Sequence, residues 1–150
     1  MSSLSERALL LESALAEALP ASRAWTRNAG GGTWWVEVSS PTATDGRRLT
    51  VELRPDGDVD VRFYVGPSGI GRGPYEAQWP VPEDQEPEVM AAVARFVAAL
   101  VDERLVLAHR RAWLGGGREF VEPGELTPAR RRRLDWVASW RGTYDWANPR

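Results

Sequence analysis

Three successive runs between Trp34 and Val65 place apolar side chains at every second position, and this pattern constrains the fold more than anything else in the chain. In the first, Trp34, Val36 and Val38 point one way, with Trp35 and Glu37 opposite. In the second, Leu49, Val51 and Leu53 oppose Arg48, Thr50, Glu52 and Arg54. In the third, Val59, Val61, Phe63 and Val65 oppose Asp60, Arg62 and Tyr64. Successive strand residues alternate between faces, so each run carries one apolar and one polar face. Pro55-Asp56-Gly57 joins the second run to the third, since proline presets a turn and glycine accepts positive φ. The runs predict an antiparallel meander with one buried face and one open face.

Helical spacing flanks this meander. Residues 4–19 repeat Leu4, Ala8, Leu11, Leu15 and Ala18 on one side, with Ser3 and Glu6 placed for reciprocal capping and Pro20 as a stop. Residues 86–102 carry a wider stripe of Val89, Met90, Val93, Phe96, Val97, Leu100 and Val101. Pro87 and the acids Glu83, Asp84, Glu86 and Glu88 suit its N-terminal end. That stripe predicts a central helix packed across the buried sheet face. Residues 26–32 read as a polar, glycine-rich connector and Tyr75–Trp79 as an edge strand. Residues 105–114 and Arg118–Val121 read as a hairpin around Gly115, Gly116 and Gly117. Thr127-Pro128 opens a last helix bearing Arg130, Arg131, Arg132, Arg133, Trp136 and Trp140, which Gly142 ends. The order α-β-β-β-α-β-β-α predicts a single α+β domain over residues 1–150: a meander plus a second hairpin, helices on one face, and a loose tail over residues 141–150. A chain of 150 residues, 43% of them apolar, is long enough to bury such a core without staples.

Several chemistries lack their residues. Glycines 66, 69, 71 and 73 resemble a phosphate-cradling loop, yet no helix follows directly, the spacing is not G-x-G-x-x-G, and Pro74, Pro80 and Pro82 keep the chain extended. The segment therefore reads as a connector. His109 is the single histidine, and no serine sits in a nucleophile-elbow setting. Without cysteine there is no disulfide, no thiolate nucleophile and no cysteine-ligated zinc, and the acids follow no calcium-loop pattern. Glu37, Glu52 and Asp60 read as cross-strand partners of Arg48, Arg54 and Arg62 rather than as a catalytic carboxylate group. The expectation is a non-enzymatic protein with no cofactor and no metal. Glu6, Glu12 and Glu17 interrupt what a signal peptide would keep apolar, and no apolar run could span a bilayer, so the expected location is cytoplasmic, away from membranes.

What remains is a chain rich in tryptophan and arginine. All 19 basic residues are arginine, which points to a GC-rich bacterial genome. Residues 1–103 hold 9 arginines against 16 acids and residues 104–150 hold 10 against 5, so one part is acidic and the other basic. Tryptophan, tyrosine and arginine dominate protein interfaces, and eight tryptophans exceed what one modest core requires. The expected partner is another protein, with a homodimer among the options. Two surfaces are the candidates: the open sheet face with Trp35, Arg62 and Tyr64, and the C-terminal region with Arg130, Arg133, Trp140, Tyr144 and Trp146. Such a protein would be an adaptor, an immunity-type inhibitor or a secretion-chaperone-like module. The alternative is a nucleic-acid accessory protein using Arg110, Arg111, Arg118 and the arginine run, with Trp113, Trp136 or Trp140 for stacking. A small enzyme is the third reading.

Overall fold

The computed structural model describes residues 2–43, 45–65, 75–110 and 117–148. The protein is α+β, with antiparallel sheets of five and four strands among the described residues. It groups into two compact units, Met1–Ser40 with Asp45–Ala98, and Pro41–Thr44 with Ala99–Arg150. The expected glycine loop at residues 66–73 lies outside the described residues, as do Arg111, Trp113, Leu114, Gly115 and Gly116. No described helix is long and apolar enough to cross a membrane.

In the first unit, helix α1 (Leu4–Ala18) begins with the reciprocal cap: Glu6 N donates to Ser3 Oγ at 3.2 Å and Ser3 N to Glu6 Oε2 at 2.6 Å. It buries Ala8, Leu11 and Leu15, and with them the charged Arg7. Five strands follow in sheet order: β1 (Thr26–Gly30), β2 (Thr33–Ser39), β3 (Arg48–Leu53), β4 (Val59–Tyr64) and β5 (Tyr75–Trp79). Trp34 faces Leu53, Val36 faces Val51, and Val51 faces Val61, so the apolar positions line one face as their alternation requires. The 54–58 turn closes with Gly57 N to Arg54 O and Arg54 N to Asp58 O, both 2.9 Å, and Gly57 at φ +90°. Helix α1 lies against β2 and β3. Helix α2 (Glu86–Val101) buries Met90, Val93, Ala94 and Val97. Phe96 is only half-buried, edge-on to Trp79 of β5 at 4.9 Å.

The connector expected at residues 26–32 is instead mostly strand. β1 pairs along β2 from Thr26↔Glu37 to Gly30↔Thr33, and Gly31 and Gly32, at φ +61° and +78°, form the two-residue turn between them. Two consecutive positive φ angles suit the hairpin turn whose twist matches its strands. The polar sequence of β1 is tolerated because it is an edge strand with mostly exposed positions.

The second unit holds β6 (Val106–Arg110), β7 (Arg118–Val121), β8 (Leu134–Ala138) and β9 (Trp146–Ala147), in the order β7-β6-β8-β9. The β6–β7 pairing matches the expected hairpin. The expected last helix does not extend to Trp140. Thr127 caps α3 (Pro128–Arg131) by accepting from Arg130 N at 3.2 Å, but α3 ends after one turn. In so short a helix Arg130 and Arg131 already stand in the last turn, where cations suit the dipole. Pairing beside β6 instead satisfies the backbone of residues 134–138 and buries Leu134, Val137 and Ala138. Val106, Ala108, Val121, Leu126, Leu134 and Val137 form a core against which Trp146 packs. Thus residues 146–147 of the expected tail are a strand.

Candidate functional site

The open face of the five-stranded sheet gathers the first candidate group. Register places Trp35 opposite Glu52, Glu37 opposite Thr50, and Arg48 opposite Tyr64. Strand alternation therefore brings Trp35, Glu37, Arg48, Thr50, Glu52 and Tyr64 to one face, where they border a concavity of about 380 Å³ together with Gly30 and Thr33. Trp35 and Tyr64 are half-buried. The Arg48 guanidinium lies over the Tyr64 ring, 4.2 Å from its centroid, within cation–π range. At the floor, Thr50 is 7% exposed and its Oγ1 makes no hydrogen bond. Glu37 Oε1 accepts from Asn28 Nδ2 of β1 at 3.4 Å.

Arg62, the third residue expected here, is an organising cation. Its Nε donates to Glu76 at 2.9 Å and its Nη1 to Glu52 at 3.1 Å, while Nη2 lies 3.5 Å from Asp60. Burial weighs against its charge, but Glu52, Glu76, Tyr64 and Asp60 outweigh that and hold its pKa above the ordinary value. Asp60 is buried although it projects from the polar face, because Arg54 and Arg62 close over it. Burial is the main influence on its carboxyl and raises its pKa despite both arginines. The cross-strand pairing expected for Glu52, Asp60, Arg54 and Arg62 is present.

The C-terminal candidates do not form one surface. Trp140 is 3% exposed and packs inside, so it offers nothing to a partner from this conformation. Tyr144 is exposed. Trp146 is half-buried, with the Arg131 guanidinium 5.9 Å from its ring centroid. Arg130 donates to Glu119 at 2.9 Å and lies 3.8 Å from Glu125; the Glu119 bond is the main reason its pKa is raised. Arg133 borders a separate concavity with Arg110, Glu119 and Thr127. His109 stacks on Trp136 at 5.2 Å with an 8° interplanar angle, and its Nδ1 is 3.6 Å from Asp135. Among the described residues no three of His, Asp and Glu gather in a metal-holding group.

Arg48, Glu37 and Thr50 in the first concavity, and Glu119 and Thr127 in the second, were not among the expected site residues, and Arg110 was expected only for the nucleic-acid alternative. For the first set the signal was available: all three sit on the polar side of the alternating runs that carry Trp35 and Tyr64. Comparison with protein-family models, curated proteins and solved structures finds no match to this chain.

Proposed function

We propose that this protein is a non-enzymatic protein-binding module, of the adaptor, immunity-type inhibitor or secretion-chaperone kind, whose recognition surface is the open face of the five-stranded sheet. The observation that carries this reading is the concavity between Trp35 and Tyr64, walled by residues of the types that dominate interface energetics. Arg48 is already docked on Tyr64, and Arg62 is held by three carboxylates. Side chains fixed in advance lose little freedom on binding, so more of the contact energy appears as affinity. The unit that bears this face has nine arginines against fourteen acids, a balance of −5. Its partner is accordingly a protein with basic groups facing Glu37 and Glu52, which favours fast, charge-steered encounter. The nucleic-acid reading is weakened because two of its stacking residues are engaged: Trp140 is buried and Trp136 is covered on one face by His109.

The test uses Trp35→Ala and Tyr64→Ala with a partner obtained by affinity capture and then purified. Each replacement should weaken the reconstituted pair by one to two orders of magnitude, about 1.4 kcal/mol per tenfold, with little change in Tm. Arg62 is unsuitable for this test, since its loss uncovers the buried Asp60. Tight binding to DNA or RNA that falls steeply with salt would instead favour the nucleic-acid reading.

A further inference from the structure

The second concavity, about 570 Å³ in volume, lies within the C-terminal unit, and its three arginines reach it by three separate devices. The β6–β8 register shifts between His109 and Arg110, an irregularity of the kind that re-aims a side chain. Across the hairpin, Gly117 has φ +106°, and a Cβ there would lie 3.1 Å from Arg110 Nη2, so glycine leaves the guanidinium its place. Arg110 pairs in register with Leu134, which sets it beside Arg133 at the entry to β8. Arg130 comes from α3 and is compensated by Glu119 and Glu125. Arg110 and Arg133 form no ion pair with a described residue.

Two uncompensated guanidiniums facing one hollow repel each other, and a bound anion would relieve that repulsion. We propose that this concavity binds the dianionic phosphate group of a small molecule, with Arg110 and Arg133 as its charge partners and Arg130, oriented by Glu119, as a fixed donor at the rim. Guanidinium forks match phosphate oxygens in pairs, and two free cations balance one dianion. The Thr127 hydroxyl already accepts from Arg130 N, so it borders the ligand without supplying charge. A nucleic-acid track would need an extended row of cations and open stacking faces. Here the cations converge on a hollow instead.

The experiment is calorimetric titration of the full chain at low ionic strength with inorganic phosphate and with phenyl phosphate. Saturable one-to-one binding is expected, weakening as pH falls through the second phosphate pKa near about 6. Arg110→Gln and Arg133→Gln should each reduce affinity about tenfold, the scale of one charge-assisted hydrogen bond. Arg132→Gln, exposed and outside the lining, should leave it unchanged. Since all three side chains are exposed, circular dichroism should show native folding throughout. Absence of saturable binding to both probes would overturn the proposal. So would an equal loss in Arg132→Gln, which would mean diffuse charge attraction. Far tighter binding of a single-stranded oligonucleotide, with a steep salt slope carried equally by Arg131 and Arg132, would replace it with a nucleic-acid surface.

Discussion

Arg7 Nη2 lies 3.1 Å from Glu86 Oε1, and Arg7 Nε donates to the same oxygen at 3.2 Å, in a pair whose residues are only 6% and 4% exposed. The guanidinium passes over Gly57 on its way from α1 to the first residue of α2. One side chain thus joins a helix, a hairpin turn and the start of a second helix. Glu86 is further favoured by its place at the positive end of the α2 dipole.

Arg7→Ala should cost about 3–5 kcal/mol in chemical denaturation, because it leaves Glu86 buried and unpaired. The double variant Arg7→Met with Glu86→Leu should recover much of that loss, since removing both charges removes the desolvation cost of each. A double variant no more stable than Arg7→Ala would show that the pair does not act as a unit.

Glu103, two residues beyond the end of α2, has φ +57°, a left-handed conformation where glycine is usual. Its carboxylate accounts for the exception, since Oε1 accepts from Arg141 N at 2.6 Å and Thr143 N at 3.4 Å. Burial pushes its pKa up, but hydrogen bonds from the Thr143 and Ser139 side chains and from the two amides outweigh burial and hold it below the ordinary glutamate value. A depressed acid stabilises the fold above its unfolded pKa, and that contribution disappears as pH falls through the folded value. Glu103→Gln should therefore be about 1–3 kcal/mol less stable than the parent at pH 7, with the gap closing below about pH 4.

Asp60 behaves in the opposite sense. Its pKa is raised, so the fold gains from its protonation as pH drops through the folded value. Asp60→Asn lacks that gain, so its stability relative to the parent should improve as pH rises from about 4 to 7. Paired acid titrations of Tm for the parent and variant measure the slope, and a slope of the reverse sign would contradict the burial argument.

Phe96→Ala should cost about 2–3 kcal/mol, below the about 3–5 kcal/mol of a fully buried phenylalanine. Its contact with Trp79 should appear as a coupling of about 0.5–1.5 kcal/mol in a double-mutant cycle with Trp79→Ala.

The meander was legible because its alternation is strict: Leu49, Val51, Leu53, Val59, Val61 and Phe63 are all buried. Helix α1 was legible from its cap and apolar stripe, and α2 from its stripe and the acids of its first turn. β1 was not, since an exposed edge strand carries no apolar period; its one signal was the Gly31-Gly32 pair before Thr33. β8 was mistaken for helix because Trp136 and Trp140 share a helical spacing, whereas pairing with β6 is a non-local matter. Of the candidate site, Trp35, Arg62 and Tyr64 followed from alternation. Burial of Trp140 did not, nor did that of Arg7, Asp60 and Glu103, since a polar side chain is buried only where distant partners meet it.

A Cβ at position 57 would fall on the Arg7 guanidinium, so the replacements that the two positions tolerate depend on each other. A lineage that gains any side chain at 57 first must displace a guanidinium already committed to Glu86. One that first gives up the charges at 7 and 86 meets only the resistance of a left-handed backbone. The order in which replacements arrive is therefore constrained, and the glycine of this hairpin is maintained by a residue of α1 as much as by the turn itself.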